Sequence, residues 1–349
     1  MSKIRVGVIG CGYWGPNLVR NFIELPNALV VAVADLVEAR LAHMSTCYPQ
    51  VNYTKDYRDL FSMHLDAAVV ATPPVTHFRI AQECLNNGLH VLVEKPLTLS
   101  SRDAQSLIEI ADQKRLALMV GHTFEYNPAV RALKEIIASG RLGKVYYINA
   151  VRVNLGLFQS HLNVLWDLAP HDLSILRYIL GQDPLSVSAR GADCIVKGAH
   201  DIVYLYLTFP DDVLAHVHVS WIDPCKVRRI TVVGSRMMAI YDDVETLEKI
   251  RIYDKGVETL AYTDTFGDFQ CSYRYGDVVI PNIPFAEPLR LECKHFLDCI
   301  EQGQTPQSCG RVGLRIVRVL ELADRSLRNG GLRETIEFGE ESVHERIFA

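Results

Sequence analysis

Near the start of the chain, "VGVIGCGYWGPNLV" sets Gly10, Gly12 and Gly15 in G-x-G-x-x-G spacing. An apolar run precedes the motif and a helix-like pattern follows it. In that place the spacing has a physical meaning. Gly10 permits a tight turn out of the strand, and Gly12 lets the backbone approach a pyrophosphate. Gly15 lets the next helix pack on the sheet. The helix N-terminus then offers N–H groups and the positive end of its dipole to phosphates. Tyr13 and Trp14, inside the loop, belong with the same candidate cofactor-binding set. The bland alternative is a plain structural turn.

The first third continues in the same rhythm. Strand candidates are "IRVGVIG" (4–10), "LVVAVAD" (29–35), "AAVVATP" (67–73), "HVLVEK" (90–95) and "LALMVGH" (116–122), with a short piece near "VNYT". Their near-continuous apolar runs suit parallel strands covered on both faces. Helix-like stretches at 15–24, 37–47, 76–87 and 100–114 lie between them. The alternation predicts a doubly wound parallel sheet.

Near residue 123 the rhythm changes. A helix is expected at about 127–139, a long strand in "KVYYINAVRVNL", and a helix at about 168–180. Six closely spaced alternating strands follow, from "LSVSARGA" to "EKIRIYDK". This pattern predicts a large, mainly antiparallel sheet. The stretch 254–285 reads as a long loop, and helices are expected at about 286–302 and 310–329. The resulting fold class is α/β. Residues 1–123 are expected to form a Rossmann domain that binds NAD(P), and 124–349 an α/β domain that carries the substrate site.

Composition narrows the partners. A net charge of −5 without a basic stripe speaks against nucleic acid. No apolar run is long enough to span a membrane, and "MSKIRVGVIG" lacks the build of a signal peptide. The nine cysteines include no C-x-x-C pair, which argues against a disulfide framework or structural zinc and favours the cytoplasm. His216 and His218 alternate on one strand, but no third metal ligand is evident, so no metal is expected.

Several residues carry candidate chemistry. Asp35 ends "VVAVAD" twenty residues past Gly15, where a carboxylate can accept hydrogen bonds from an adenosine ribose. It would repel a 2′-phosphate, which favours NAD over NADP, although Arg40 nearby softens the preference. Asp35 as a helix N-cap is a compatible alternative. Thr72 and Pro73 in "ATPPVTHF" shape the wall of the cleft. His77 is either a ligand neighbour or a residue in the first turn of the next helix. Glu94 and Lys95 end a strand on the ligand-binding edge, where a lysine can hold a substrate oxygen or donate a proton to it. A surface ion pair stopped by Pro96 is the equal alternative.

In "VLWDLAPHDLSILRYILG" Asp167 and His171 are four residues apart, hence on one helix face. Pro170 fits a first helical turn, so the helix is expected to begin near Asp167. A carboxylate beside an imidazole orients it for acid–base work. Asp167 as an N-cap is the alternative, and Asp172 is expected to face elsewhere. Tyr126 in "GHTFEYNP", with His122, Glu125 and Asn127, and Arg152 and Asn154 on the long strand, are candidate substrate contacts.

In this order and spacing, "GVIGCGYWG", "VATPPVTH", "VEKPL", "DLAPHDLSILRYILG" and "FLDCIEQGQTPQSCG" resemble the Gfo/Idh/MocA (glucose–fructose oxidoreductase / inositol dehydrogenase) family over almost the whole chain. The resemblance implies hydride transfer between a nicotinamide and a secondary alcohol or ketone of a sugar or nucleotide sugar. Inositol or polyol oxidation, NAD-dependent glycoside cleavage and a non-catalytic dinucleotide sensor are the alternatives. It implies that Lys95, Asp167 and His171 are catalytic, that Glu94 lies near the nicotinamide, and that the open sheet makes a homodimer or homotetramer. Ser174 and "GHTF" depart from the family wording, which leaves the roles of Ser174, His122 and Thr123 open.

Overall fold

The computed structural model describes residues 3–156, 158, 162–259 and 271–338. The chain begins with β1 (Ile4–Ile9), α1 (Gly15–Glu24), β2 (Ala28–Ala34), α2 (Glu38–Cys47), β3 (Asn52–Thr54) and β4 (Ala67–Val70). It continues with α3 (His77–Asn86), β5 (His90–Glu94), α4 (Ser101–Lys114) and β6 (Leu118–Gly121). A 3-10 turn at Thr123–Tyr126 leads to α5 (Pro128–Ala138), β7 (Val145–Leu155), α6 (Val164–Leu180), β8 (Ser186–Ala192) and β9 (Ile202–Thr208). Then come β10 (Leu214–Ser220), β11 (Ile222–Gly234), β12 (Met238–Asp242), β13 (Ile250–Thr259) and β14 (Cys271–Val279). The described chain ends with α7 (Pro288–Gln302), α8 (Gly310–Arg328) and β15 (Glu334–Thr335). Two compact units result: Met1–Asn127 with Ala286–Glu321, and Pro128–Phe285 with Leu322–Ala349.

The first unit holds a six-stranded parallel sheet in the order β3-β2-β1-β4-β5-β6. Strand order reverses between β1 and β4, the place where a doubly wound sheet opens a ligand crevice at its C-terminal edge. Val6, Val8, Val69, Val91 and Val93 are fully buried, because helices cover both faces. Each such side chain contributes roughly 1.5–3 kcal/mol on burial. Ser100 caps α4 by accepting from the Asp103 N–H, and Arg115 closes it in the left-handed region.

Residues 286–321 belong to this unit, which a single division at 123/124 does not anticipate. Phe296 of α7 meets Phe22 of α1 edge-on at 6.5 Å, and Leu289, Cys293 and Leu297 join the same core. An apolar helix face is visible in sequence, but which sheet it covers is not. The segment before α8 also runs along the β6 edge. There Val120 N–H donates to the Ser308 carbonyl, and Ser308 Oγ donates back to the Val120 carbonyl, both at 2.8 Å. The edge strand is thereby covered rather than left open.

The second unit holds nine strands in the order β14-β13-β12-β11-β7-β10-β9-β8-β15. All pairs are antiparallel except β10 with β7. Alternate residues such as Ile148, Ala150, Val217, Val219, Ile230 and Val232 are buried on the face that carries α5 and α6. Two expectations are corrected. The stretch 254–285 is not a long loop: β13 runs to Thr259 and β14 spans Cys271–Val279, while 260–270 lie outside the described residues. Most of β14 is exposed on both faces, so it carries no alternation that would mark a strand. Second, α6 begins at Val164, three residues before Asp167. Asn163 is its cap, accepting from Trp166 N–H at 3.2 Å, and Pro170 sits inside the helix.

Candidate active site

The glycine loop follows β1 as its spacing requires. Gly10 has φ +101°, and a Cβ there would meet the Ala71 carbonyl oxygen at 2.5 Å. A Cβ on Gly15 would stand 2.0 Å from the Gly10 oxygen. Gly12 differs: nothing lies within 4 Å of where its side chain would begin. Two glycines are thus required by the protein's own backbone, and the third leaves open room beside the start of α1. Tyr13 is exposed and Trp14 stacks beside it.

Asp35 follows the last residue of β2. Its Oδ2 accepts from Cys11 N–H at 2.6 Å and its Oδ1 from Val37 N–H at 2.8 Å, with Arg40 at 3.5 Å. The carboxylate therefore ties the glycine loop to β2. Burial and this neighbouring charge push the Cys11 thiol up to about 12. Asp35 does not cap α2, whose cap is Val37 without a side-chain bond. The loop and Asp35 fit a dinucleotide: an open backbone approach for phosphates with a carboxylate one strand away for a ribose.

At the end of β4, Thr72 and Thr76 share a 2.8 Å hydroxyl contact, and Pro73 is exposed. His77 is the first residue of α3 and is fully buried. Its two ring nitrogens each meet a carbonyl oxygen at 2.8 Å, Nδ1 that of Pro96 and Nε2 that of Thr72. Of its two readings, His77 takes the second, a residue of the first turn of α3, where it ties the β4 loop to the segment after β5. Desolvation pulls its pKa down.

Glu94 ends β5 opposite Gly121 of β6, and its carboxylate lies over that glycine, 3.0–3.2 Å from where a Cβ would stand. Burial pushes Glu94 up to about 7, against the pull of Lys95 and of the Trp14 indole. Lys95, partly buried, follows directly at the same C-terminal edge; the Lys95–Pro96 peptide is cis. So the first unit brings Gly10, Gly12, Tyr13, Trp14, Gly15, Asp35, Thr72, Pro73, Glu94 and Lys95 to one edge of one sheet. Tyr126 is not among them. It is fully buried, with its hydroxyl 2.9 Å from Ser308 Oγ, which removes it from the substrate contacts. Sequence reasoning had no signal for this, since an aromatic in a turn reads the same whether it points inward or outward.

In the second unit Asp167 Oδ2 accepts from the Trp221 indole N–H at 3.0 Å. Asp167 is thus held by a tryptophan rather than serving as a helix cap. His171 is one turn later on the same face of α6 and partly buried. Trp221 also crowds Gly156, where a Cβ would meet its Cδ1 at 2.9 Å and the Asn154 amide at 3.1 Å. Asn154, Trp221 and Asp167 therefore converge. Trp221 was missed because nothing in a strand-end tryptophan marks it as a carboxylate partner. Arg152 is corrected. It is 3% exposed and locked bidentately on Asp172, Nε to Oδ2 at 2.6 Å and the second nitrogen to Oδ1 at 3.1 Å. It holds α6 on β7 instead of presenting a charge to substrate. His216 and His218 stack on Tyr204, and among the described residues no three His, Cys, Asp or Glu side chains gather as metal ligands.

Comparison with known proteins agrees with this fold. Residues 4–122 match the profile described as "Oxidoreductase family, NAD-binding Rossmann fold", and 130–240 match the GFO/IDH/MocA C-terminal domain. UDP-N-acetylglucosamine 3-dehydrogenase of Acidithiobacillus ferrooxidans is 27% identical, over 74% of this chain and 80% of that protein. The scyllo-inositol 2-dehydrogenase (NAD(+)) of Bacillus subtilis is 26% identical, over 94% of this chain and 95% of that protein. The solved structure of GenD2 from gentamicin A biosynthesis, in complex with NAD, superposes with a TM-score of 0.81 at 23% identity, covering 97% of each chain. The chain belongs to the Gfo/Idh/MocA oxidoreductase family, with an NAD-binding Rossmann fold followed by that family's C-terminal domain.

Proposed function

We propose that the protein is an NAD-dependent dehydrogenase or reductase acting on a secondary CH–OH group of a sugar or nucleotide sugar. The observation that carries the reading is the shared edge of the parallel sheet. Open space at Gly12 and the Asp35 carboxylate lie on one side of the switch point, and Glu94 with Lys95 ends β5 on the other. In a doubly wound sheet a dinucleotide lies across that crevice, so an adenosine end at Asp35 sets the nicotinamide end toward β4 and β5. Bound NAD supplies the hydride acceptor or donor. Lys95 holds the reacting oxygen and stabilises negative charge on it. His171 takes or returns the hydroxyl proton, and Asp167, anchored by Trp221, positions the imidazole. The acidic Asp35 disfavours the 2′-phosphate of NADP.

The names of the relatives support the substrate class, and they split it: one acts on a UDP-linked sugar, others on inositols. A panel of UDP-sugars and inositols, read by NADH absorbance, separates the two. Lys95→Ala and His171→Ala should each lower kcat by on the order of 10²–10⁴-fold and leave the NAD dissociation constant within about twofold. Normal turnover in both variants on an identified substrate would sink the assignment.

The finer reading is a cytoplasmic homo-oligomer. Nine free cysteines, with Cys47, Cys194 and Cys225 exposed, suit a reducing compartment. The open face of the large sheet displays Tyr147, Tyr204, Tyr206 and Leu214, an apolar surface suited to a second copy. Analytical ultracentrifugation tests this, and a monomer at micromolar concentration would refute it.

A further inference from the structure

A cavity of about 490 Å³ opens on the first unit, at the edge of the parallel sheet opposite to Glu94 and Lys95. His90 and Leu118, the first residues of β5 and β6, lie on its wall, whereas Glu94 and Gly121 end the same strands. At about 3.3 Å per residue these strands hold the two edges roughly 10–13 Å apart. The C-terminal end of α4, residues 303–306 and the start of α8 complete the wall. The volume falls in the range of small-molecule sites, about 300–1,000 Å³.

Arg115 is the unusual residue of this wall. It closes α4 in the left-handed region at φ 56°, where glycine is free of strain and an L side chain is not. The N–H groups of Arg115 and Leu116 satisfy the last carbonyls of the helix, at Asp112 and Ala111, and glycine at 115 would donate equally well. The Arg115 guanidinium makes no hydrogen bond or ion pair with any described residue. The backbone thus asks for glycine, and the chain instead sets an unpaired cation on the wall of a cavity. The other charged side chains there are Asp112 and Arg311, which pair with each other at 2.7 Å. Arg115 therefore leaves the wall with a net positive charge.

Its neighbours supply further polar groups. His90 Nδ1 accepts the Ala117 N–H at 2.9 Å, so the neutral ring carries its proton on Nε2 and can donate from there. Burial lowers the pKa of this imidazole, which keeps it neutral at pH 7. Gln304 and Thr305 are exposed, and their side chains bond no described residue. Ile108, Leu116 and Leu118 give the wall its apolar side.

We propose that this cavity is a second small-molecule site, remote from the dinucleotide crevice, and that it takes a compact organic anion whose phosphate or carboxylate group pairs with Arg115. A guanidinium suits either group, since its donors match two oxygens at once. The Gln304 amide, the Thr305 hydroxyl and His90 Nε2 meet the polar part of the ligand, and the apolar side takes its carbon skeleton. The proposal stands apart from the NAD reading, which concerns the opposite edge of the sheet.

Isothermal titration calorimetry of the full chain with glucose 6-phosphate, and separately with citrate, tests it, each with and without saturating NAD+. The first probe offers a phosphate and the second only carboxylates, so the probe that binds identifies the anion. The expected result is a Kd below about 1 mM for one of them, unchanged within about twofold when NAD+ fills the crevice. Arg115→Gly should weaken that binding at least about tenfold, with the melting temperature within about 2 °C of wild type because glycine suits the left-handed position. Binding of neither probe, displacement of the probe by NAD+, or undiminished binding in Arg115→Gly overturns the site. None of these results touches the NAD reading. Wild-type protein that fails to bind NAD+ overturns that reading alone, while probe binding that depends on Arg115 still upholds the site.

Discussion

Replacing Arg152 by alanine separates two readings of that residue. On sequence it is a cation on a strand near the substrate; in the fold it is sealed against Asp172 with both partners at or below 4% side-chain exposure. Truncation leaves the Asp172 carboxylate buried without its partner, a change that costs about 3–5 kcal/mol. At roughly 2–4 °C per kcal/mol for a unit of this size, the melting transition of the second unit should fall by about 6–20 °C. The companion double replacement, Arg152→Met with Asp172→Leu, removes both charges and should recover most of the loss. Differential scanning calorimetry gives the transitions, and substrate kinetics at a temperature where the variant is folded gives KM. Stability within about 1 kcal/mol of wild type, together with a KM raised tenfold or more, would refute the structural reading and restore Arg152 as a substrate contact.

Three further outcomes follow from the geometry. Gly12→Ala should leave stability within about 0.5 kcal/mol and weaken NAD binding at least tenfold, because the added methyl meets no protein atom and occupies the phosphate approach. Gly15→Ala, whose methyl would stand 2.0 Å from a carbonyl oxygen, should instead lose stability and NAD binding together; nucleotide fluorescence and thermal melts compare the pair. Glu94 is pushed up to about 7 from an ordinary 4.5, so its protonated form favours the fold. That contribution is fully present below pH 4.5 and is lost as pH rises through about 7, roughly 3 kcal/mol in all. Glu94→Gln, which cannot ionise, should gain stability relative to wild type across that window in urea titrations; parallel pH profiles would count against the buried carboxyl.

What could be read in the sequence was whatever local chemistry determines. A strand that turns on Gly10 and opens a helix at Gly15 permits little besides a dinucleotide fold. Apolar runs without alternation require cover on both faces, and alternating strands after residue 123 require a sheet with one open face. The placement of Lys95 and Asp35 just past strand ends was legible because a parallel sheet presents its strand ends at a known edge. The destinations of long side chains were not. Arg152, Tyr126 and His77 each carry polar atoms that suit a ligand, and each found a buried protein partner instead. Those partners, Asp172, Ser308 and the Pro96 carbonyl, lie 19 to 182 residues away. The same holds for α7, whose apolar face is local but whose seat on α1 depends on Phe22 and Phe296, far apart in the chain. The glycine loop and strand patterns were therefore determined by sequence. The three-dimensional structure decided which charges were sealed, because burial and pairing depend on contacts that no local pattern encodes.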